Sequence, residues 1–218
     1  MVPRGPLAAG HGPYAPGVSG FRVERLAPAH AGAFLALFDR SFGDNPDWGG
    51  CYCRYYDSPE TPWDSGAAAS ARHRAEAAER IAAGLQTGFL AFPGSGDTPV
   101  AWLNAGPAAG FSNPRGFNGA AGAWVMCFVV EPSWRGRGAA AALMAGALEA
   151  FRTDGVRSVE GWPLPHGARD SGTAAGAAAA AAAASDGYKG PLQLFERHGF
   201  RPVGEGPHGR LHVRLELA

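Results

Sequence analysis

The sequence predicts an α/β fold of the α+β kind, with about seven strands and about four helices. Three observations carry that reading. A β-branched and aromatic run from Gly122 to Val130 passes through a glycine-rich turn into a helix. Before it, Thr87 to Phe92 and Pro99 to Ala105 flank the turn Gly94-Ser95-Gly96-Asp97, as two strands of a hairpin would. At the far end, Leu211, Val213, Leu215 and Leu217 alternate with His212, Arg214 and Glu216, the pattern of a half-buried last strand.

The remaining elements fall into place in order. Met1 to Gly20 clusters Pro and Gly without periodic apolar residues, so residues 1–20 are expected to be a disordered tail and residues 21–218 the folded domain. Phe21 to Leu26 reads as a first strand with Phe21 and Val23 on one face, ended by Pro28. Ala31, Phe34, Leu35, Phe38 and Phe42 then recur at helical spacing. Asp64 or Ser65 can cap a second helix running to about Ala83, with Gly84 as its stop. Arg72, Glu76 and Arg80 stand four residues apart, so that face is expected to be solvated. Gly106 to Gly119 reads as a loop. Ala140, Leu143, Met144, Ala147, Leu148 and Phe151 give the long third helix one buried face. Arg157 to Trp162 is a fifth strand. The Ala-rich insertion 164–187 contains eight consecutive alanines, Ala177 to Ala184, too short and too featureless to hold a stable helix alone. It is expected to be mobile and without chemistry. Pro191 opens the last helix, which ends near His198 with Gly199 as its cap.

Bulk properties exclude several classes of function. A length of 218 residues suits one domain with a real core. Nineteen basic residues balance nineteen acidic ones, so no general attraction to nucleic acid or membrane is expected. The sequence has neither an apolar stretch long enough to span a bilayer nor a signal-peptide core. Three cysteines do not make a disulfide framework, and a reducing cytoplasm is the plain expectation.

The segment Asn45 to Pro59 is aromatic and broken by Gly and Pro. If Cys51 to Tyr56 is extended, Cys51, Cys53 and Tyr55 share one face and Tyr52, Arg54 and Tyr56 the other. A Cys-x-Cys pair can bind metal, but the two further ligands do not accompany it, so buried apolar thiols are the expectation and no metal is predicted. The turn after Val130 carries the sharper signal. Unpaired amides at a helix start and the helix dipole point the same way, which makes an anion site. Arg135 and Arg137 add positive charge where a solvated helix start would favour Asp or Glu. The loop lacks the Lys-Ser/Thr of a P-loop and the G-x-G-x-x-G of a dinucleotide fold.

What it does contain is Arg135-x-x-Gly138-x-Ala140 after Val-x-Pro. This resembles the Arg/Gln-x-x-Gly-x-Gly/Ala loop of the GNAT superfamily, the GCN5-related N-acetyltransferases. Leu192 to Phe200, ending in Gly199-Phe200, is similar to the family's second hallmark, a helix closing in x-Gly-Phe. The order of strands and helices from Phe21 onward is also that of the family. Cys-x-Cys, Ala101 to Pro107, Met126-Cys127-Phe128-x-Val130 and Val159-Glu160-Gly161-Trp162-Pro163 resemble a bacterial subgroup with Cys-x-Cys and Cys-Phe-x-Val motifs.

The resemblance implies a mixed, mostly antiparallel sheet splayed between strands 4 and 5. It also implies an N-acetyltransferase using acetyl-coenzyme A, without metal, on the primary amine of a small-molecule acceptor. Backbone groups of Phe128, Val129 and Val130 would hold the pantetheine arm, and amides of Arg135, Gly136, Arg137, Gly138, Ala139 and Ala140 the pyrophosphate. Trp48, Tyr52, Tyr55 and Tyr56 would line the acceptor pocket, with a packed loop as the alternative. Glu160 and Glu131 are the candidate bases; a buried ion pair and a solvated carboxylate are their alternative readings. At Phe195 the family usually has the Tyr that serves as general acid, so Phe195 can border the coenzyme but cannot donate a proton. Tyr188 is the candidate replacement. That departure keeps a second function open, a non-catalytic acyl-CoA-binding or interaction module. Neither nucleic acid nor membrane is an expected partner, and the chain would act as a monomer or homodimer.

Overall fold

The computed structural model describes residues 20–41, 50–59, 63–165 and 187–218. Residues 1–19 of the predicted tail, Phe42, Trp48 and the alanine run lie outside them.

Among the described residues seven strands form one sheet in the order β1-β2-β3-β4-β5-β7-β6. They are β1 (Phe21–Arg25), β2 (Phe89–Pro93), β3 (Ala101–Pro107), β4 (Ala123–Val130), β5 (Ser158–Gly161), β6 (Arg201–Glu205) and β7 (Leu211–Glu216). The α-helices are α1 (Ala31–Ser41), α2 (Ala67–Ala82), α3 (Ala139–Thr153) and α4 (Leu192–Arg197). All neighbouring strands are antiparallel except β4 and β5, which are parallel. This is the predicted α+β class.

Two features of β4 shape the molecule. It pairs with β3 along its whole length, but with β5 only from Ala123↔Val159 to Val125↔Gly161. Beyond Val125 the two parallel strands part. The β3–β4 register also shifts at Asn104/Ala105, leaving Met126 as the extra residue of a bulge. A bulge bends its strand, here at the point where the pairing with β5 stops.

Alternation along the strands divides the core between two faces. Val23, Phe89, Ala91, Leu103, Val125 and Val159 meet α3 and α4 on one face. Leu90, Phe92, Trp102, Met126 and Trp162 meet α1, α2 and the 51–58 segment on the other. The predicted stripe of α3 is buried: Leu143, Met144, Leu148 and Phe151 contribute about 1.5–3 kcal/mol each. Gly146 lets α3 approach β1 closely, since a Cβ there would lie 2.6 Å from Val23 Cγ1. β6 closes the sheet as an exposed edge, where Pro202 removes one donor from pairing.

Three local expectations are corrected. Cys51 to Tyr56 is not extended: it coils through successive turns, with Tyr52 at φ 41° and Cys53 at φ 51°. Each such left-handed residue costs about 1 kcal/mol. The segment is held nonetheless, because Trp102 Nε1 donates to Cys53 Sγ at 2.9 Å and Tyr52 Oη donates to Asp39 at 2.7 Å. Neither Asp64 nor Ser65 caps α2; the cap position is Gly66, and Asp64 instead accepts from the Ser65 amide at 2.9 Å. Gly84 does lie beyond the helix end at φ 67°. The Arg/Glu face of α2 is not simply solvated, because buried Arg54 inserts there, bound to Asp57 and, at 3.1 Å, to Glu76. Arg80 completes the cluster through Asp57 at 2.8 Å.

Candidate active site

Among the described residues, the parting of β4 from β5 leaves the backbone of Met126 to Val130 without a strand on that side. Glu131 N donates to Val100 O at 2.9 Å, which makes Val100/Glu131 a hydrogen-bonded pair with β3. Strand alternation then turns the N–H and C=O of Val130 and Phe128 towards the opening, and those of Val129 towards β3. Arg135 Nε caps the Val130 carbonyl at 3.2 Å.

The chain next passes through the turn Pro132–Trp134 and two left-handed glycines, Gly136 at φ 74° and Gly138 at φ 90°. Gly138 occupies the cap position of α3, and no side chain caps the helix. The first intrahelical bond runs from Ala142 N to Gly138 O at 2.9 Å. The amides of Gly138, Ala139, Ala140 and Ala141 therefore precede the ladder, and the first turn contains no acidic residue. A Cβ at Gly136 would meet nothing within 4 Å, so the turn is open on its outer side. Arg137 lies over the Trp134 ring at 5.3 Å, which keeps a second cation beside the same amides. The residues fit a polyanionic group such as a diphosphate. A thioester arm leading away from it would meet the outward-turned groups of β4.

The other predicted residues separate. Glu160 is 2 % exposed. Its Oε2 accepts from the Ala121 amide at 3.2 Å, and its Oε1 lies 3.3 Å from His212 Nε2 and 3.9 Å from Arg214 Nη1. A Cβ at Gly119 would lie only 1.8 Å from Oε2, so the 119–121 loop wraps the carboxylate closely. Glu131 pairs with Arg40 of α1 at 3.3 Å. Phe195 is fully buried, edge-on to Phe128 (6.3 Å) and Phe200 (5.2 Å). A Cβ at Gly161 would lie 2.4 Å from its ring, so Phe195 packs into the wedge between β4 and β5.

The aromatic residues also diverge. Tyr52 stacks on Phe38 at 5.5 Å, and burial, then the Asp39 carboxylate, push its phenol up to about 12. It is part of the α1 contact. Tyr55 meets Trp63 edge-on at 5.3 Å under the Arg115 guanidinium, which lies 4.7 Å from its ring. Tyr56 turns inward, and its hydroxyl lies 3.4 Å from that of Tyr188. Burial, then the neighbouring Tyr188, pushes the Tyr56 phenol well up. Tyr188 belongs to a short turn, Gly187–Lys189, that packs on β4. Immediately after it, a Cβ at Gly190 would lie 3.2 Å from the Phe128 ring. Tyr188 and Tyr56 thus stand together beside the opened edge of β4.

Sequence reasoning missed what surrounds this pair. Lys189, just beyond the alanine-rich insertion and given no role in the sequence reading, is buried with Nζ 3.8 Å from the Phe117 ring centre and 4.3 Å from that of Tyr56. Arg210, also buried, lies 5.8 Å from the Tyr188 ring. Trp162 stacks on His212 at 5.2 Å and meets Phe117 at 5.3 Å. The cysteines form a thiol cluster beneath: burial, then the adjacent Cys127 and Cys51 thiols, holds Cys53 well above its ordinary range. Among the described residues no group of three or more His, Cys, Asp or Glu is placed to share a metal ion.

The fold has counterparts among solved structures. The GNAT domain of S. lividans PAT superposes with a TM-score of 0.52 at 17% identity, covering 90% of each chain. The ribosomal-protein-S5-alanine acetyltransferase of Vibrio fischeri gives a TM-score of 0.51 at 7% identity, covering 94% of this chain and 96% of that one. At such identities the likeness speaks for the fold. No curated protein matches the sequence. Among the described residues no helix is long and apolar enough to cross a membrane. The sequence profile of the Acetyltransferase (GNAT) family matches residues 52–185, more than half of the chain. With the parted parallel strands and the uncapped helix start already in place, the chain belongs to the GNAT acetyltransferase family.

Proposed function

We propose that this protein transfers an acetyl group from acetyl-coenzyme A to the primary amine of a small molecule. The observation that carries the reading is the continuity between the uncapped start of α3 and the outward-turned backbone of β4. The amides from Arg135 to Ala140 bind the donor's diphosphate, assisted by the helix dipole and the two arginines. Phe128 and Val130 hold the pantetheine arm through backbone groups, and a strand N–H stabilises the oxyanion as it develops. Trp48 stays a candidate for the acceptor side. Tyr56, Phe117 and Tyr188 wall that side with rings, which suits a compact amine better than a polymer.

In this reading the Tyr188 hydroxyl supplies the proton to the departing thiolate, in place of the hydroxyl that Phe195 lacks. Thiolates leave readily near neutral pH, so this contribution is modest. Glu160 acts as a buried anchor, tying β5, β7 and the 119–121 loop together. With its oxygens committed to Ala121, His212 and Arg214, the carboxylate serves the acceptor's wall rather than its proton. Glu131 similarly ties α1 to the end of β4. The incoming ammonium then gives its proton to water in the furrow.

The missing hydroxyl at Phe195 favours one rival, a non-catalytic acyl-CoA-binding module. Calorimetry with coenzyme A and thiol release from acetyl-CoA over a panel of amines separate the two. Binding with amine-dependent thiol release is the expected result. Binding without release under every amine supports the module, and absence of binding overturns both.

A further inference from the structure

We infer that Lys189 is itself an acetyl acceptor, modified by the chain's own donor site. Lys189 is the only lysine in the sequence; every other Lys/Arg position is Arg. The distinction is chemical. A guanidinium does not lose its proton under physiological conditions, whereas a lysine amine can, and it then becomes a nucleophile. The one side chain with that capacity is not on the surface. It is 1 % exposed and enclosed by aromatic rings, with Phe117 at 3.8 Å, Tyr56 at 4.3 Å and Tyr188 at 5.7 Å from Nζ.

Position adds to chemistry. The turn carrying Lys189 packs on β4, and the next residue, Gly190, abuts the Phe128 ring. The donor site proposed above holds the acetyl group along the same strand on which this turn packs. Bulk reagents meet the opposite situation, because the rings exclude them. The site selects for a donor brought in by the protein.

The step balances without a further reagent. The Lys189 ammonium loses one proton to solvent, and the neutral nitrogen attacks the thioester carbonyl. An N–C bond forms and the C–S bond breaks, with its electron pair staying on sulfur. The nitrogen's second proton goes to that sulfur, and the products are an amide and free coenzyme A thiol. Acetylation removes the charge and with it the ammonium–ring attraction that holds Nζ in the box. The modified side chain is also longer, so the box formed by Tyr56, Phe117 and Tyr188 must open, which exposes the rings to an external acceptor.

The inference rests on the donor site proposed above, and its test keeps the two apart. The full chain is incubated with acetyl-CoA, without added amine, and followed by intact mass and peptide mapping. One acetyl group on Lys189 is expected, at a rate per molecule unchanged by dilution. Lys189→Arg should acquire none there, and acetic anhydride should leave Lys189 of the folded chain unmodified. Thiol release to an added amine while Lys189 stays unmodified overturns this inference and leaves the donor site standing. A rate that rises with protein concentration also overturns it, since the transfer is then between molecules. Absence of both coenzyme binding and thiol release removes the donor site itself.

Discussion

In the function proposed here, the donor side and the acceptor side are built from different materials. The donor side is backbone: outward-turned groups of Phe128 and Val130, then amides spaced by Gly136 and Gly138 ahead of α3. The acceptor side is made of side chains that come from 51–58, 108–121, 187–189 and the β6–β7 hairpin, most of them aromatic and buried. A backbone site tolerates sequence change so long as its dihedral angles survive. A side-chain site changes its ligand with almost every substitution. The donor half should therefore be generic for the fold and the acceptor half particular to this chain.

The sharpest way to break that contrast is at Gly138. Gly138→Asp places a carboxylate against the expected diphosphate and a Cβ on a φ of 90°. Coenzyme A affinity should fall by at least about 100-fold, about 2.8 kcal/mol, by calorimetry, with the circular dichroism of the fold retained. Unchanged affinity would make the turn structural.

Glu160→Gln tests whether the acceptor wall depends on a buried charge. It weakens the contacts to His212 and Arg214 while keeping the shape, and should cost about 1–3 kcal/mol of stability in denaturant melts. Turnover and donor affinity should decline together. A selective loss of turnover in a fully stable variant would return Glu160 to the role of base.

Tyr188→Phe asks whether the acceptor side contributes a proton. Turnover should fall by less than about 100-fold, with donor affinity unchanged, because a thiolate needs little help to leave. Unaltered turnover would leave the Tyr56–Tyr188 pair as packing.

The smallest effect is expected outside the furrow. Hydrogen bonds from Arg74 hold the Asp39 carboxyl below its ordinary range, with Tyr52 assisting. Its contribution to stability is therefore complete above the ordinary Asp pKa and is lost as pH falls through the lower folded value. Asp39→Asn should flatten that part of the acid limb of a stability–pH curve and leave neutral-pH activity alone.

How much of this was legible in the sequence follows the same division. Strand alternation and the α3 stripe predicted the sheet and its layers, because one buried face per element is a local property. The Arg135-to-Ala140 turn was legible because Gly spacing fixes backbone geometry directly. The 51–56 segment was not, since its coil depends on Trp102 and Asp39 lying opposite it, far away in sequence. Arg54 shows the same limit: its burial depends on Asp57 and Glu76 converging from two elements. Lys189 carried one readable signal, its being the lone lysine among arginines, but nothing local revealed the rings around it.

The most direct test of the central claim is an amide NMR titration of the full chain with coenzyme A. The largest shifts should fall on Gly136, Gly138, Ala139 and Ala140, followed by Phe128 and Val130. Saturable binding that leaves those amides unmoved, or shifts confined to another part of the sheet, would contradict the account.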